Sequence, residues 1–122
     1  MGGTALKPRA EARESDGVQI VSMLYDGAIN FIGKAKEKLD IGDSSGRSFY
    51  IKKTTAIVNE LSGSLNMDTG EIAVNLRSLY DFVLDRLVKA DLQNNRDALS
   101  DAEKVIDIIR SSWSEMQEAR KL

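Results

Sequence analysis

The chain has 122 residues, 42% of them hydrophobic and 30% charged, with a net charge of −2. That length suits one domain with a moderate core, and charges of both signs interspersed along it exclude the basic stripe that nucleic acid demands. Cysteine and histidine are both absent, which removes disulfides, thiolate chemistry, His-based triads, most transition-metal sites and the two familiar bundle occupations, di-iron centres and histidine phosphotransfer.

Residues 1–15, MGGTALKPRAEARES, contain early glycines, the only proline and alternating charges. They show little apolar periodicity and read as a flexible N-terminal arm. No signal-peptide pattern opens the chain, and no apolar run approaches the roughly 20 residues of a bilayer span. The expectation is a cytoplasmic protein without membrane insertion.

From Gly17 the pattern changes. Val18, Val21, Tyr25, Ala28, Ile32, Ala35 and Leu39 follow steps of three and four, the mark of an apolar seam on a helix. Ser15 or Asp16 suits its N-cap. The stretch DIGDSSG, Asp40 to Gly46, breaks it. A second run carries Tyr50, Ile51, Thr54, Ile57, Val58, Leu61 and Leu65 on one face and ends at NMDTG, Asn66 to Gly70. Asp68 and Glu71 have the spacing of a capping box for a third helix. That helix places Ile72, Leu76, Leu79, Tyr80, Val83, Leu87 and Ala90 inward, with Arg77–Asp81 and Asp85–Lys89 as exposed i,i+4 pairs. After QNNRD, with Asn94 or Asn95 as cap, a fourth run sets Leu99, Ala102, Ile106, Ile109, Trp113 and Met116 at helical spacing.

No segment shows the alternation of a strand. Four helices of about 20–25 residues span about 30–37 Å each, and short breaks force neighbours to run antiparallel. The predicted fold is all-α, an up-down-up-down four-helix bundle over residues 16–120 behind the flexible arm.

The tripeptide Leu-Tyr-Asp occurs twice, at Leu24-Tyr25-Asp26 and Leu79-Tyr80-Asp81. On a helix, adjacent residues point about 100° apart, so neither copy forms a Tyr–Asp dyad. No nucleophile, base or metal set accompanies them. The packing reading sends each ring into the core and each hydroxyl to a partner at the bundle edge. No enzymatic activity and no cofactor are expected.

The apolar faces are wider than a narrow seam. Ile20, Leu24, Gly27 and Phe31 form a second stripe on the first helix, and Tyr80, Leu84 and Val88 extend one edge of the third, while Phe82, Leu92 and Ile108 lie off the main stripes. A bundle helix touching two neighbours needs a wide face. Surplus apolar surface also makes a groove for a partner's amphipathic helix.

Three segments carry a family likeness: MLYDGAINFI (23–32), IVNELSGSLNMDTGEIAVNLRSLYDFVLDRLVKAD (57–91) and IIRSSWSEM (108–116). In order and spacing they resemble the FliS family of flagellin-specific export chaperones, over about residues 17–117. The resemblance implies a cytoplasmic helical bundle that binds the C-terminal helical region of flagellin. It also implies prevention of premature polymerisation and delivery to the flagellar export apparatus, with an export gate component as a further partner. In the family a short Tyr-containing segment and a Thr-Ala-Ser-Pro-like turn precede the first helix. Here KPRAEARESDG has neither that tyrosine nor a proline at the turn, so groove covering or gate engagement by this segment is not carried over. The candidate partner-binding residues are Ile20, Leu24 and Phe31 on the first helix and Tyr80, Leu84 and Val88 on the third. The alternative is a helical adaptor or self-associating structural bundle with a different protein partner, and homo-oligomerisation stays open under either reading.

Overall fold

The computed structural model describes residues 9–65 and 70–121, with side chains for 19–65 and 70–119. The four periodic runs form four helices: α1 (Arg9–Asp40), α2 (Ser44–Gly63), α3 (Glu71–Gln93) and α4 (Arg96–Lys121). No strand occurs among the described residues. The helix α1 begins at Arg9, ahead of the expected start, so Ser15 and Asp16 lie inside it. Its first turns, Ala10-Glu11-Ala12-Arg13, are strong helix formers without an apolar stripe; propensity rather than periodicity carries them. Residues 1–8 of the expected arm lie outside the described residues.

The turns follow local chemistry. At Gly42 φ is +77°, a left-handed conformation that glycine adopts without steric cost. The Asp43 carboxylate then accepts from the Gly46 amide at 2.9 Å, capping α2. The N-cap of α3 is Gly70, at φ +90°, which has no side chain to give; Asp68, the expected capping residue, lies outside the described residues. Asn94 closes α3 in the left-handed region, and Asn95 caps α4 by accepting from the Ala98 amide at 3.1 Å.

Helix α1 packs on α2 and α4, and α3 packs on the same two, so α1 and α3 are diagonal. Cross-helix pairs fix every neighbour as antiparallel. Phe31 meets Tyr50, Arg47 meets Asp91, Arg86 meets Asp101 at 3.0 Å, and Asp40, Lys36 and Asp26 meet Arg96, Glu103 and Arg110 in turn.

The core consists of Tyr25, Ala28, Ile32 and Ala35 from α1, Ile51, Val58 and Leu61 from α2, Tyr80, Val83, Leu87 and Ala90 from α3, and Ala98, Leu99, Ala102, Ile106 and Ile109 from α4. Full burial of each large aliphatic side chain contributes about 1.5–3 kcal/mol. Three expected core residues come out exposed: Ile72, Leu79 and Met116. The inward arc of α3 is centred on Tyr80, Val83 and Leu87, with Ala73 rather than Ile72 buried in its first turn, so the arc is narrower than the apolar stripe. The Asp85–Lys89 pair forms at 3.2 Å; Arg77 and Asp81, both exposed, make no ion pair with each other.

One end of the bundle holds a polar clasp. Arg47, only 9% exposed, donates to the Asp91 carboxylate, the Asp91 carbonyl and the Asn94 side chain, tying the start of α2 to the end of α3. Ser48 donates to the same carboxylate, so the buried guanidinium has both a counter-charge and satisfied donors.

Candidate functional site

The two Leu-Tyr-Asp segments meet in the middle of the bundle. Tyr25 and Tyr80 share a buried hydroxyl–hydroxyl hydrogen bond of 2.8 Å across the α1–α3 diagonal. The expected partner at the bundle edge is therefore the other tyrosine, at the bundle centre. Burial raises both phenol pKa values; the shared bond opposes the rise at Tyr25 and adds to it at Tyr80. The adjacent aspartates point outward, Asp26 to Arg110 at 2.9 Å and Asp81 to solvent. Tyr80, at 2% exposure, supports the surrounding surface from within and presents none of its own.

The other five candidates fall on either side of α2. On its α1 side, Ile20 is 55% exposed, while Leu24 and Phe31 are half-buried. Gly27 lies in this seam, where an added Cβ would make an ordinary van der Waals contact with the Ile57 side chain at 3.4 Å. Phe31 stacks on Tyr50 at 5.9 Å, and Phe49 meets Tyr50 edge-on at 5.0 Å, carrying an aromatic ladder from this seam onto the outer surface of α2. Lys53 lies 5.3 Å over the Phe49 ring.

On the α3 side of α2 lies an open, mainly apolar groove lined by Ile51, Lys52, Thr55, Leu87, Val88, Asp91 and Leu92. Val88 forms its rim, and Leu84 packs half-buried against the core one turn away. Two helix edges build the groove: Ile51 and Thr55 stand one turn apart on α2, and Val88 and Leu92 one turn apart on α3. The diagonal placement of α1 and α3 keeps the six candidates from forming one patch; α2 separates the two seams, with small Ala56 and Gly63 exposed on its outer side.

Sequence reasoning missed Leu92, Ile51 and Thr55 as groove residues. Leu92 is 78% exposed at the tip of α3, and its spacing from Val88 is the signal that locates it. Lys52 brings a positive charge to the rim without an ion pair among the described residues, whereas Asp91 is engaged by Arg47 and Ser48. Among the described residues, no group of acidic side chains converges as a metal site and no helix is long and apolar enough to cross a membrane.

Known proteins match this sequence. The flagellar protein FliS family profile matches residues 5–120. The flagellar secretion chaperone FliS of Salmonella typhimurium is 33% identical over 100 residues, 80% of this chain and 74% of that protein. Its counterpart in Campylobacter jejuni is 32% identical over 99 residues, covering 80% of this chain and 77% of the relative. The one in Bacillus subtilis is 28% identical over 104 residues, covering 84% and 77%. The chain belongs to the FliS family of flagellar secretion chaperones, a non-enzymatic family.

Proposed function

We propose that this chain is a cytoplasmic export chaperone for flagellin. It binds the C-terminal helical region of the subunit, holds it from premature polymerisation and supports its delivery to the flagellar export apparatus. The observation that carries this reading is the open apolar groove between α2 and α3 in a member of a secretion-chaperone family. A disordered amphipathic segment gains order and buries its apolar residues by lying along such a groove. Ile20, Leu24 and Phe31, across α2, offer a second strip to a chain that crosses the small residues on the outside of that helix. Leu84 and Val88 serve the groove itself, with Leu92 beside them. Tyr80 acts from beneath, by holding α3 in place.

The test pairs stability with binding. Val88→Asp with Leu92→Asp removes groove surface where both side chains are already exposed, so the unfolding midpoint should stay nearly unchanged. Titration with a flagellin C-terminal peptide should weaken by about tenfold or more, as for loss of a binding hot spot. Wild-type affinity in this variant would overturn the assignment of the groove. Absence of peptide binding by the wild-type chain would overturn the flagellin reading and favour an adaptor with another partner.

A further inference from the structure

Charge is unevenly spread over this chain. Near the turn between α1 and α2, Lys34, Lys38, Lys52 and Lys53 are set against only two carboxylates, Glu37 and Asp43, although the whole chain carries −2. The other charges at this end pair off, Asp40 with Arg96, Arg47 with Asp91 and Lys36 with Glu103. Lys34, Lys52 and Lys53 have no ion-pair partner among the described residues, and Lys38 approaches Asp43 only at 3.9 Å. Asp43 is further engaged by the Gly46 amide that it caps.

Packing gathers these cations around two exposed apolar residues. Lys34 follows Phe31 by one turn, and Phe31 stacks on Tyr50, so Lys34 lies level with Phe49. Lys53 covers the Phe49 ring at 5.3 Å. Lys38 lies so close to Gly46 that a Cβ added there would sit 2.9 Å from its side chain. At about 100° per residue, Lys38 leans from Lys34 toward α2, while Glu37 leans away from it. Ile41, two turns beyond Lys34, is 73% exposed, and Phe49 is 52% exposed. Both project from among the lysines.

We infer that this end of the α1–α2 hairpin docks on an anionic lipid surface, resting on the bilayer without crossing it. The stack of Phe31 on Tyr50 already closes the seam beneath, so Ile41 and Phe49 stand out as tips rather than lining a trough of the kind a peptide occupies. The unpaired cations here are lysines, flexible point charges suited to laterally mobile headgroups; a fixed carboxylate partner favours the fork of arginine. Each lysine near an anionic membrane contributes about 1 kcal/mol, and the apolar tips add to this by entering the headgroup region. The rest of the chain is acidic in balance and is repelled by the same surface, which orients the molecule with this end down. Contact at the turn leaves the length of the groove between α2 and α3 open. The inference stands apart from the flagellin reading.

The test is co-sedimentation of the full chain with vesicles of phosphatidylglycerol and phosphatidylcholine in equal parts, beside vesicles of phosphatidylcholine alone. The wild type should bind the anionic vesicles at low salt, release them as salt is raised and ignore the neutral ones. Lys34→Gln and Lys53→Gln should each weaken binding about fivefold, about 1 kcal/mol. Both side chains are exposed, so the unfolding midpoint should hold. Ile41→Cys, in a chain with no native cysteine, carries an environment-sensitive dye that should brighten on anionic vesicles. The same dye at Ile108→Cys, exposed on the α3 side of α4, should not respond. Failure to bind anionic vesicles overturns the inference, as does equal binding to neutral ones, or binding indifferent to the lysine changes. Binding of soluble poly-glutamate through the same lysines, without vesicle binding, would assign the patch to an acidic protein segment and equally overturn it.

Discussion

Tyr25 and Tyr80 are joined through one hydrogen bond at the centre of the fold, and removing either hydroxyl leaves the other buried without its partner. Tyr25→Phe and Tyr80→Phe should each cost about 1–3 kcal/mol. The double variant should cost less than their sum, since both polar ends leave together. Urea unfolding of the four-member cycle checks this; strict additivity would mean that the bond contributes no coupling. The pH dependence follows from the raised phenol pKa values. Below the unfolded-state value of about 10 both states are protonated and this contribution is fully present. As pH rises past about 10, the unfolded chain loses protons that the folded one keeps, so stability falls through the raised folded values. Midpoints at about pH 8 and about pH 11 should differ less in Tyr80→Phe than in the wild type. Spacing made both tyrosines legible as inward-facing. Their meeting was not legible, because it depends on which helices stand diagonal and on the depth of each ring.

Each helix was legible where apolar residues recur every three or four positions, and less so where other forces set its limits. The first turns of α1 arise from alanine and charged helix formers, with no stripe to reveal them. The start of α3 rests on the positive φ of Gly70, which a search for side-chain caps does not detect. Inside α1, a Cβ placed on Gly33 would meet nothing within 4 Å, while the same addition at Gly27 touches Ile57. Gly33→Ala should therefore stabilise the protein by about 0.5–1 kcal/mol, by lowering the entropy of the unfolded chain. Denaturant unfolding measures the gain. A loss would show that α1 needs glycine's freedom at this point.

At the scale of the molecule, the four-helix order followed from short connections and antiparallel neighbours, and the structure has that order. The division of apolar surface into core and open face was harder to read. Leu87 and Val88 are adjacent and similar in chemistry, yet one is fully buried and the other 55% exposed. Ile72 and Leu79 continue the core periodicity and still face outward. Periodicity gives the direction of a side chain about its own helix; the positions of the two neighbouring helices determine how much of that arc is covered.

The Arg47 clasp makes the bundle unequal from end to end. Arg47, Ser48, Asp91 and Asn94 join α2 to α3, and Arg96–Asp40 and Lys36–Glu103 join α4 to α1 nearby. Toward the opposite end, the Arg110–Asp26 ion pair of 2.9 Å and the Trp113–Ser22 hydrogen bond of 3.3 Å link α4 to α1. Among the described residues the hydrogen bonds and ion pairs between α2 and α3 are confined to the clasp, so apolar contacts carry the cohesion of those two helices there. Hydrophobic cohesion weakens on cooling, so a drop in temperature should loosen the two ends to different degrees. Native-state amide exchange along α3 offers a direct record. Protection at Leu87–Ala90 should exceed that at Ala73–Leu76, and the difference should widen as the sample is chilled. Equal protection at both places would mean that the bundle opens as one unit; a graded response would give the chaperone a hinged jaw, fixed at the clasp and yielding at the far end.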